Sequence, residues 1–281
     1  MRPKQISEKY RRLQDILKSM KSVLVAFSGG VDSTLLLKAA RDVLGNNVLA
    51  VTAQSHTTAG HERIDAVRLA RLIDVEHLTV ESHEFEFPEF VGNSPDRCYV
   101  CKKSRFEDLT KLAKEKGLKS VVDGENVDDH GDYRPGVRAS RELGVRSPLL
   151  EAGLSKDEIR FVSKKLGLPT WDKPSYACLA SRIPYGTPIT PEKLTQVDAA
   201  EARIRELIPG FQARVRHCGD TARIEIEPRA LSKLIHIGVR SHILSYFYHL
   251  GFDFVTIDLE GYRTGSLNRA IGSLQPLTAE R

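Results

Sequence analysis

The sequence predicts an α/β protein: a parallel sheet wound on both faces, followed by a smaller C-terminal α+β domain. Three observations carry this expectation. Apolar, strand-like runs at 23–27, 48–53, 76–80 and 119–123 alternate with stretches of helical period, the pattern of βαβ units. The first run ends in the turn Ser28-Gly29-Gly30-Val31-Asp32-Ser33 and leads directly into the apolar stretch 34–40. Beyond residue 190 the order changes to a helix, two strands around Gly219-Asp220, more helix and a last strand. The expected divisions are a sheet domain over 1–170, a connecting loop over 171–190 and the smaller domain over 191–281.

The elements follow in order. Ile6, Tyr10, Leu13, Leu17 and Met20 recur at three- and four-residue steps and predict a first helix that serves packing. The helix after the glycine turn should stop near Gly45, and a further helix is expected over 62–73. In doubly wound sheets ligands sit beyond the carboxyl ends of the strands, so Ser28 and the segment Ala53-Gln54-Ser55 should line one pocket. Ser94-Pro95 reads as a helix start, with Cys98 and Cys101 in its opening turn. Ser155-Lys156-Asp157-Glu158 is a capping box, and structure alone accounts for those residues. Residues 171–186 hold three aromatics, two prolines and Cys178 without either period, the mark of a working loop.

The glycine turn lacks the lysine of GxxxxGK[ST] and is not GxGxxG. Its glycines let backbone N–H groups and the Ser28 and Ser33 hydroxyls converge at a helix N-terminus, which suits an anion such as phosphate. A plain turn with Ser33 as a cap would use the same residues. Cys98-x-x-Cys101 brings two thiols to neighbouring positions near a helix start, where metal or redox work is favoured, although two ordinary half-buried cysteines satisfy the spacing too. The acidic loop 124–136 could take Mg²⁺ together with phosphates, or serve as turn chemistry. Arg214 and Arg216, two apart on a strand, share a face that either clamps a phosphate or carboxylate or faces solvent. Cys218, beside His217, has no spaced partner and reads as structural.

With 281 residues, 41% hydrophobic and 28% charged, the chain can build a sizeable core and is not disordered. No apolar run approaches the ~20 residues of a membrane helix, and the start lacks a signal-peptide segment, so a cytoplasmic address is expected. Four cysteines then point to thiol or metal chemistry rather than disulfides. The formal charge of +5 suits phosphate-bearing small molecules. It is spread along the chain, and the C-terminal part offers few aromatics for base stacking, which argues against a nucleic-acid partner.

SGGVDS after a buried strand resembles the PP-loop of the ATP pyrophosphatases, which cleave ATP between its α and β phosphates. Together with RCYVC, DYRPGVRA, VRSPL, WDKPSYACLASRIPYG, RVRH and GYRTGSLN, spanning about 23–268, it resembles the LarE family. These are ATP-dependent sulfur transferases that make the pincer nucleotide ligand of nickel-dependent lactate racemase. The resemblance implies an adenine-nucleotide alpha-hydrolase-like domain with a family-specific C-terminal domain, assembled as a homo-oligomer, a hexamer. Its substrate would be a pyridinium dicarboxylate mononucleotide, whose carboxylates are adenylated and become thiocarboxylates in two rounds. Ser28, Gly29, Gly30, Asp32 and Ser33 would hold pyrophosphate, with Ala53 and Gly124 against the nucleotide. Arg214 and Arg216 would hold a phosphate, with Glu225 and Ser181 as further site residues.

Cys178 carries the sulfur question. In single-cysteine members this thiol attacks the acyl-adenylate and gives up its own sulfur, leaving dehydroalanine. Members with three such cysteines bind a 4Fe-4S cluster, here implied on Cys98, Cys101 and Cys178, with one iron left to carry an exchangeable sulfide. Both routes stay open, with the spacing favouring the cluster. The rivals are a PP-loop tRNA thiolase with its own cluster and a non-catalytic ATP-binding module. An amide-forming PP-loop ligase would leave the cysteines unexplained.

Overall fold

A computed structural model of the chain describes residues 3–131, 135–174 and 176–263. Asp132, Tyr133 and Arg134 of DYRPGVRA, Ser175, the end of GYRTGSLN and the C-terminal tail lie outside the described residues. The chain divides into two compact units, one of 1–90 with 96–176, the other of 91–95 with 177–281. The segment 171–190 is thus shared between them, at Tyr176.

The first unit runs α1 (Pro3–Met20), β1 (Val23–Ala26), α2 (Val31–Leu44), β2 (Val48–Gln54), α3 (Gly60–Ile73), β3 (Glu76–Glu81), the short α4 (Pro88–Val91), α5 (Arg97–Glu115), β4 (Ser120–Val122), α6 (Pro135–Glu142), the short α7 (Pro148–Glu151) and α8 (Lys156–Lys165). Its four strands are parallel in the order β3-β2-β1-β4. Successive side chains of a strand point to opposite faces. Accordingly Val23, Val25, Val48 and Ala50 pack with Leu13, Leu17, Leu35 and Ile159 on one side, while Leu24, Leu49, Val51 and Val121 pack with Phe106 and Leu109 on the other. The sheet is covered on both faces, a doubly wound α/β fold.

Strands β2 and β3 extend the sheet on one side of β1 and β4 on the other, so the direction of winding reverses between β1 and β4. By the switch-point rule this reversal opens the rim on the β4 side as well as at the ends of β1 and β2. One correction concerns Ser94-Pro95. Helix α5 opens at Arg97, with Asp96 at the cap position and no capping side chain, so Cys98 and Cys101 are its second and fifth residues. The reason is tertiary: the Asn93 amide donates to the carbonyls of Ile183 (3.3 Å), Pro184 (2.7 Å) and Thr187 (2.9 Å), which engages this stretch in the second unit.

The second unit holds a 3₁₀ turn at Leu179–Arg182, α9 (Pro191–Leu207), β5 (Ala213–Cys218), β6 (Thr221–Ile226), the short α10 (Leu231–Ile235), α11 (Ile237–His249) and β7 (Phe254–Ile257). β5 and β6 are antiparallel, and β7 adds parallel to β6. Ala200 and Ile204 of α9 and Ile243 and Phe247 of α11 bury against Val215, Ile224 and Ile226 of this small sheet. Among the described residues, no helix is long and apolar enough to cross a membrane.

Candidate functional site

The glycine turn forms as its residue types require. Gly29 sits at φ +69°, where only glycine is unstrained, and a Cβ there would lie 3.2 Å from the Ala66 Cα on α3. Gly30 precedes α2 and offers no capping side chain, so the first N–H groups of that helix have no side-chain cap. The Ser28 and Ser33 hydroxyls lie 3.1 Å apart, and Ser28 Oγ accepts from the Gly30 N–H at 3.3 Å. Hydroxyls, amides and the positive end of α2 are therefore gathered at one place, the arrangement that binds an anion.

Two lysines flank the turn. Lys156 Nζ donates to Asp32 Oδ2, and Lys173 Nζ donates to the Gly29 carbonyl (3.2 Å) and to Asp65 Oδ2 (2.9 Å). Neither lysine stood out in the sequence. Lys156 is indeed in a capping box, with the Ser155 hydroxyl accepting from the Glu158 N–H, and its ammonium reaches the turn through the ion pair with Asp32. Asp32 also accepts from Asn126 Nδ2 at 3.4 Å. Burial pushes the Asp32 carboxyl above the usual carboxylate range and the charge of Asp129 adds to this, against the pull of Lys156.

Gly124, at the end of β4, is packed directly against this turn. A Cβ on it would meet Ser33 N at 3.1 Å and Asp32 Cβ at 3.3 Å, so the strand end and the helix start close up only without a side chain. Asp128 and Asp129 follow in a 3₁₀ turn over Val127–Gly131, where Asp128 accepts from the Lys156 N–H (2.6 Å) and Asp129 from the Asn126 N–H (3.0 Å).

The rim at β2 and β3 is a polar network. Half-buried Ala53 lies two residues before Ser55, which donates, with Thr57 (3.0 Å) and Ser82, to the fully buried Glu84. Arg105 of α5 closes the network with a 2.8 Å ion pair to Glu84. Burial raises the Glu84 carboxyl, but the Arg105 charge and the Ser55 and Ser82 hydroxyls outweigh it, and the net shift is below the ordinary value. Cys98, Cys101, Lys102 and Arg105 recur at helical spacing along α5, and Lys102 pairs with Asp123 at 3.2 Å. The helix face that carries both thiols is thus tied to the ends of β2, β3 and β4. Glu84 and Arg105 gave no motif by which the sequence could have singled them out.

In the second unit the structure gathers the other sequence candidates. Cys178 is exposed at the start of the 3₁₀ turn, and its carbonyl accepts from the Ser181 N–H at 3.0 Å. Arg216 pairs in a fork with Glu225 (Nε–Oε1 2.9 Å, Nη2–Oε2 2.6 Å) and donates to the Ser181 carbonyl at 2.7 Å. Arg214 faces Glu225 across the strand pair and lies 4.9 Å from the centre of the Tyr262 ring. Both arginines are buried, which overturns the alternative of a solvent-washed strand face. Arg182, buried beneath Cys178 and paired with Glu201, was missed by sequence reasoning. His217 is buried with Nε2 2.9 Å from Gln196 Oε1.

None of the four cysteines is joined in a disulfide. Among the described residues, no group of three or more His, Cys, Asp or Glu side chains is gathered as a ready metal site. Cys98 and Cys101 belong to the first unit and Cys178 to the second.

No protein-family model matches the chain. It is 43% identical over 267 residues to an uncharacterized protein of Synechocystis sp., covering 95% of this chain and 99% of that one. It is 38% identical over 275 residues to the pyridinium-3,5-bisthiocarboxylic acid mononucleotide synthase of Lactiplantibacillus plantarum, covering 97% of this chain and 98% of that one. A tRNA-specific 2-thiouridylase of Rickettsia africae is 28% identical over 193 residues, about half of each chain. Identity of this degree along nearly the full length, on a doubly wound sheet that opens with a PP-loop, means that the chain belongs to the LarE family of ATP-dependent sulfurtransferases.

Proposed function

We propose that this chain adenylates the carboxylates of a pyridinium dicarboxylate mononucleotide with ATP and converts them, in two rounds, to thiocarboxylates. The substrate class comes from the name of the Lactiplantibacillus relative. The observation that carries the reading is the uncapped glycine turn with Lys156 and Lys173 beside it, a place for the pyrophosphate that adenylation releases.

A carboxylate is a poor acceptor for sulfur, because its charge repels a nucleophile and oxide leaves badly. Attack of a carboxylate oxygen on the α-phosphorus of ATP gives an acyl-adenylate and pyrophosphate; sulfur then attacks the acyl carbon and AMP departs. In this reading the turn Ser28, Gly29, Gly30, Asp32 and Ser33 holds the pyrophosphate, mainly through amides and hydroxyls, while the two lysines offset its charge. Asp32, with Asp128 and Asp129 nearby, would hold Mg²⁺. The fit is chemical: these are hard oxygen donors, and Mg²⁺ is usually held by one or two carboxylates together with phosphate oxygens. Ala53 and Gly124 would face the nucleotide, and Arg214 and Arg216, with Glu225 and Ser181, the substrate's phosphate.

Cys178 is the residue that handles sulfur. The cluster form of this reading takes Cys98, Cys101 and Cys178 as ligands on the chemistry of their residue type, since thiolates are the ligands such clusters select. When bound, such a cluster supplies one iron outside the three thiolates as a seat for exchangeable sulfide. A cytoplasmic address and assembly as a hexamer belong to the same reading.

The experiment is pyrophosphate release from ATP on adding pyridinium-3,5-dicarboxylate mononucleotide, with thiocarboxylate followed by mass spectrometry. ATP binding without pyrophosphate release would support the non-catalytic module. Salt-dependent submicromolar binding of bulk tRNA would support the tRNA thiolase instead. Iron and acid-labile sulfide of about four each per chain, in protein purified without oxygen, support the cluster route. No iron after reconstitution returns Cys178 to giving up its own sulfur.

A further inference from the structure

Arg182 and Glu201 are both almost entirely buried, with 2% and 4% of their side chains exposed. Nε and Nη2 of Arg182 meet the two Glu201 oxygens at 2.8 and 2.9 Å, a fork-to-fork pair. Taking two charges out of water costs about as much as their attraction returns, and apolar replacements of equal volume are often as stable. Fold stability is therefore a weak reason for this pair, and its remaining hydrogen bonds show what else it holds.

Arg182 Nη1 donates to the Ala177 carbonyl at 2.7 Å, to the Cys178 carbonyl at 3.2 Å and to the Ser181 hydroxyl at 3.0 Å. The first two carbonyls belong to the peptide planes on either side of the Cys178 Cα. One nitrogen thus grips both planes, with the backbone between them at φ −56° and ψ 153°. With both planes held, the thiol moves by rotation about χ1 alone. Glu201 in turn accepts from the Val215 N–H at 3.0 Å, so the grip is braced from α9 to β5, next to the strand position of Arg214 and Arg216. Arg216, through the Ser181 carbonyl, holds the far end of the same turn.

We propose that Arg182, braced by Glu201, is a positioning residue that holds the Cys178 peptide so that its exposed thiol is presented in one fixed direction. This deepens the proposed function and rests on Cys178 as the residue that handles sulfur. It applies whether the thiol gives up its own sulfur or acts as a ligand, since both need a fixed sulfur position, and a misplacement of 1 Å costs about a hundredfold in rate.

The test replaces the charges together, Arg182→Met with Glu201→Leu, in the full-length protein, with Arg182→Lys as a second variant that keeps the charge but loses the fork. Two measurements are made. One is thiocarboxylate formation, with ATP affinity and thermal unfolding measured alongside. The other is the mobility of a nitroxide attached to Cys178, read by electron paramagnetic resonance after Cys98, Cys101 and Cys218 are changed to serine. The expected result is a folded double variant with unchanged ATP affinity, about a hundredfold slower transfer and a more mobile label. If Arg182 were only a structural ion pair, the apolar pair would restore both rate and label mobility, and either restoration overturns the proposal. Should the double variant fail to fold, Arg182→Lys gives the same reading: an unchanged label and rate overturn it. If the unaltered protein itself makes no thiocarboxylate, the proposed function fails separately, and the label alone decides whether the clamp exists.

Discussion

Replacing Gly29 by alanine tests the geometry on which the anion site depends. Two costs arise at this position. The backbone sits at φ +69°, which costs a non-glycine residue roughly 1–2 kcal/mol, and the new methyl would meet the Ala66 Cα at 3.2 Å and its N at 3.3 Å. Those atoms are backbone of α3 and cannot swing aside as a side chain would, so crowding adds about 1–3 kcal/mol. Gly167, beyond α8, has the same φ of +69° with nothing within 4 Å of a would-be Cβ, so Gly167→Ala carries the first cost alone. Gly29→Ala should therefore lose about 2–5 kcal/mol and Gly167→Ala about 1–2. Urea unfolding followed by the fluorescence of Trp171, the chain's one tryptophan, reads the first unit, to which both glycines belong. ATP affinity should fall in Gly29→Ala only, because the Gly29 carbonyl that Lys173 holds must move with the strained peptide. Equal losses in the two variants would refute the close approach of α3 to the turn.

Lys156→Met should weaken ATP binding about tenfold by calorimetry, through loss of a cation beside the pyrophosphate site; an unchanged affinity removes Lys156 from that site. Glu84→Gln should cost about 3 kcal/mol at pH 7, since it leaves Arg105 beside a neutral partner. The Glu84 carboxyl lies below its ordinary pKa in the fold, so its stabilisation is present above the unfolded value and is lost as pH falls through the folded one. The gap between variant and parent should accordingly narrow in urea titrations repeated below about pH 4, and a gap independent of pH contradicts the assignment. Cys178→Ala should keep ATP binding and lose all thiocarboxylate formation, checked by mass spectrometry of the product.

What could be read in the sequence depended on whether a residue answers a local or a distant requirement. The sheet was legible because the pleat and the helix turn impose periods of 2 and 3.6 on neighbouring residues, and the Ser28–Ser33 turn because glycine and serine are demanded by the backbone at that spot. Ser94-Pro95 is a sound local helix start, yet Asn93 spends its amide on carbonyls 90 and more residues away, and the helix begins later. The same holds for the charges that matter most. Lys156 is fully explained by its neighbours as part of a capping box, while the partner that gives it work, Asp32, lies 124 residues earlier. Arg214 and Arg216 were found from their strand spacing, but that spacing is equally good for a solvent face. Only their burial, which no local pattern encodes, excludes the solvent face. Arg182 shows the limit most clearly. An arginine four residues after a cysteine has no signature of its own, and its meaning comes from a carboxylate on another helix that fixes the guanidinium under the Cys178 peptide. A candidate thiol can be named from sequence because its chemistry is its own, whereas the residues that hold its peptide are defined by distances.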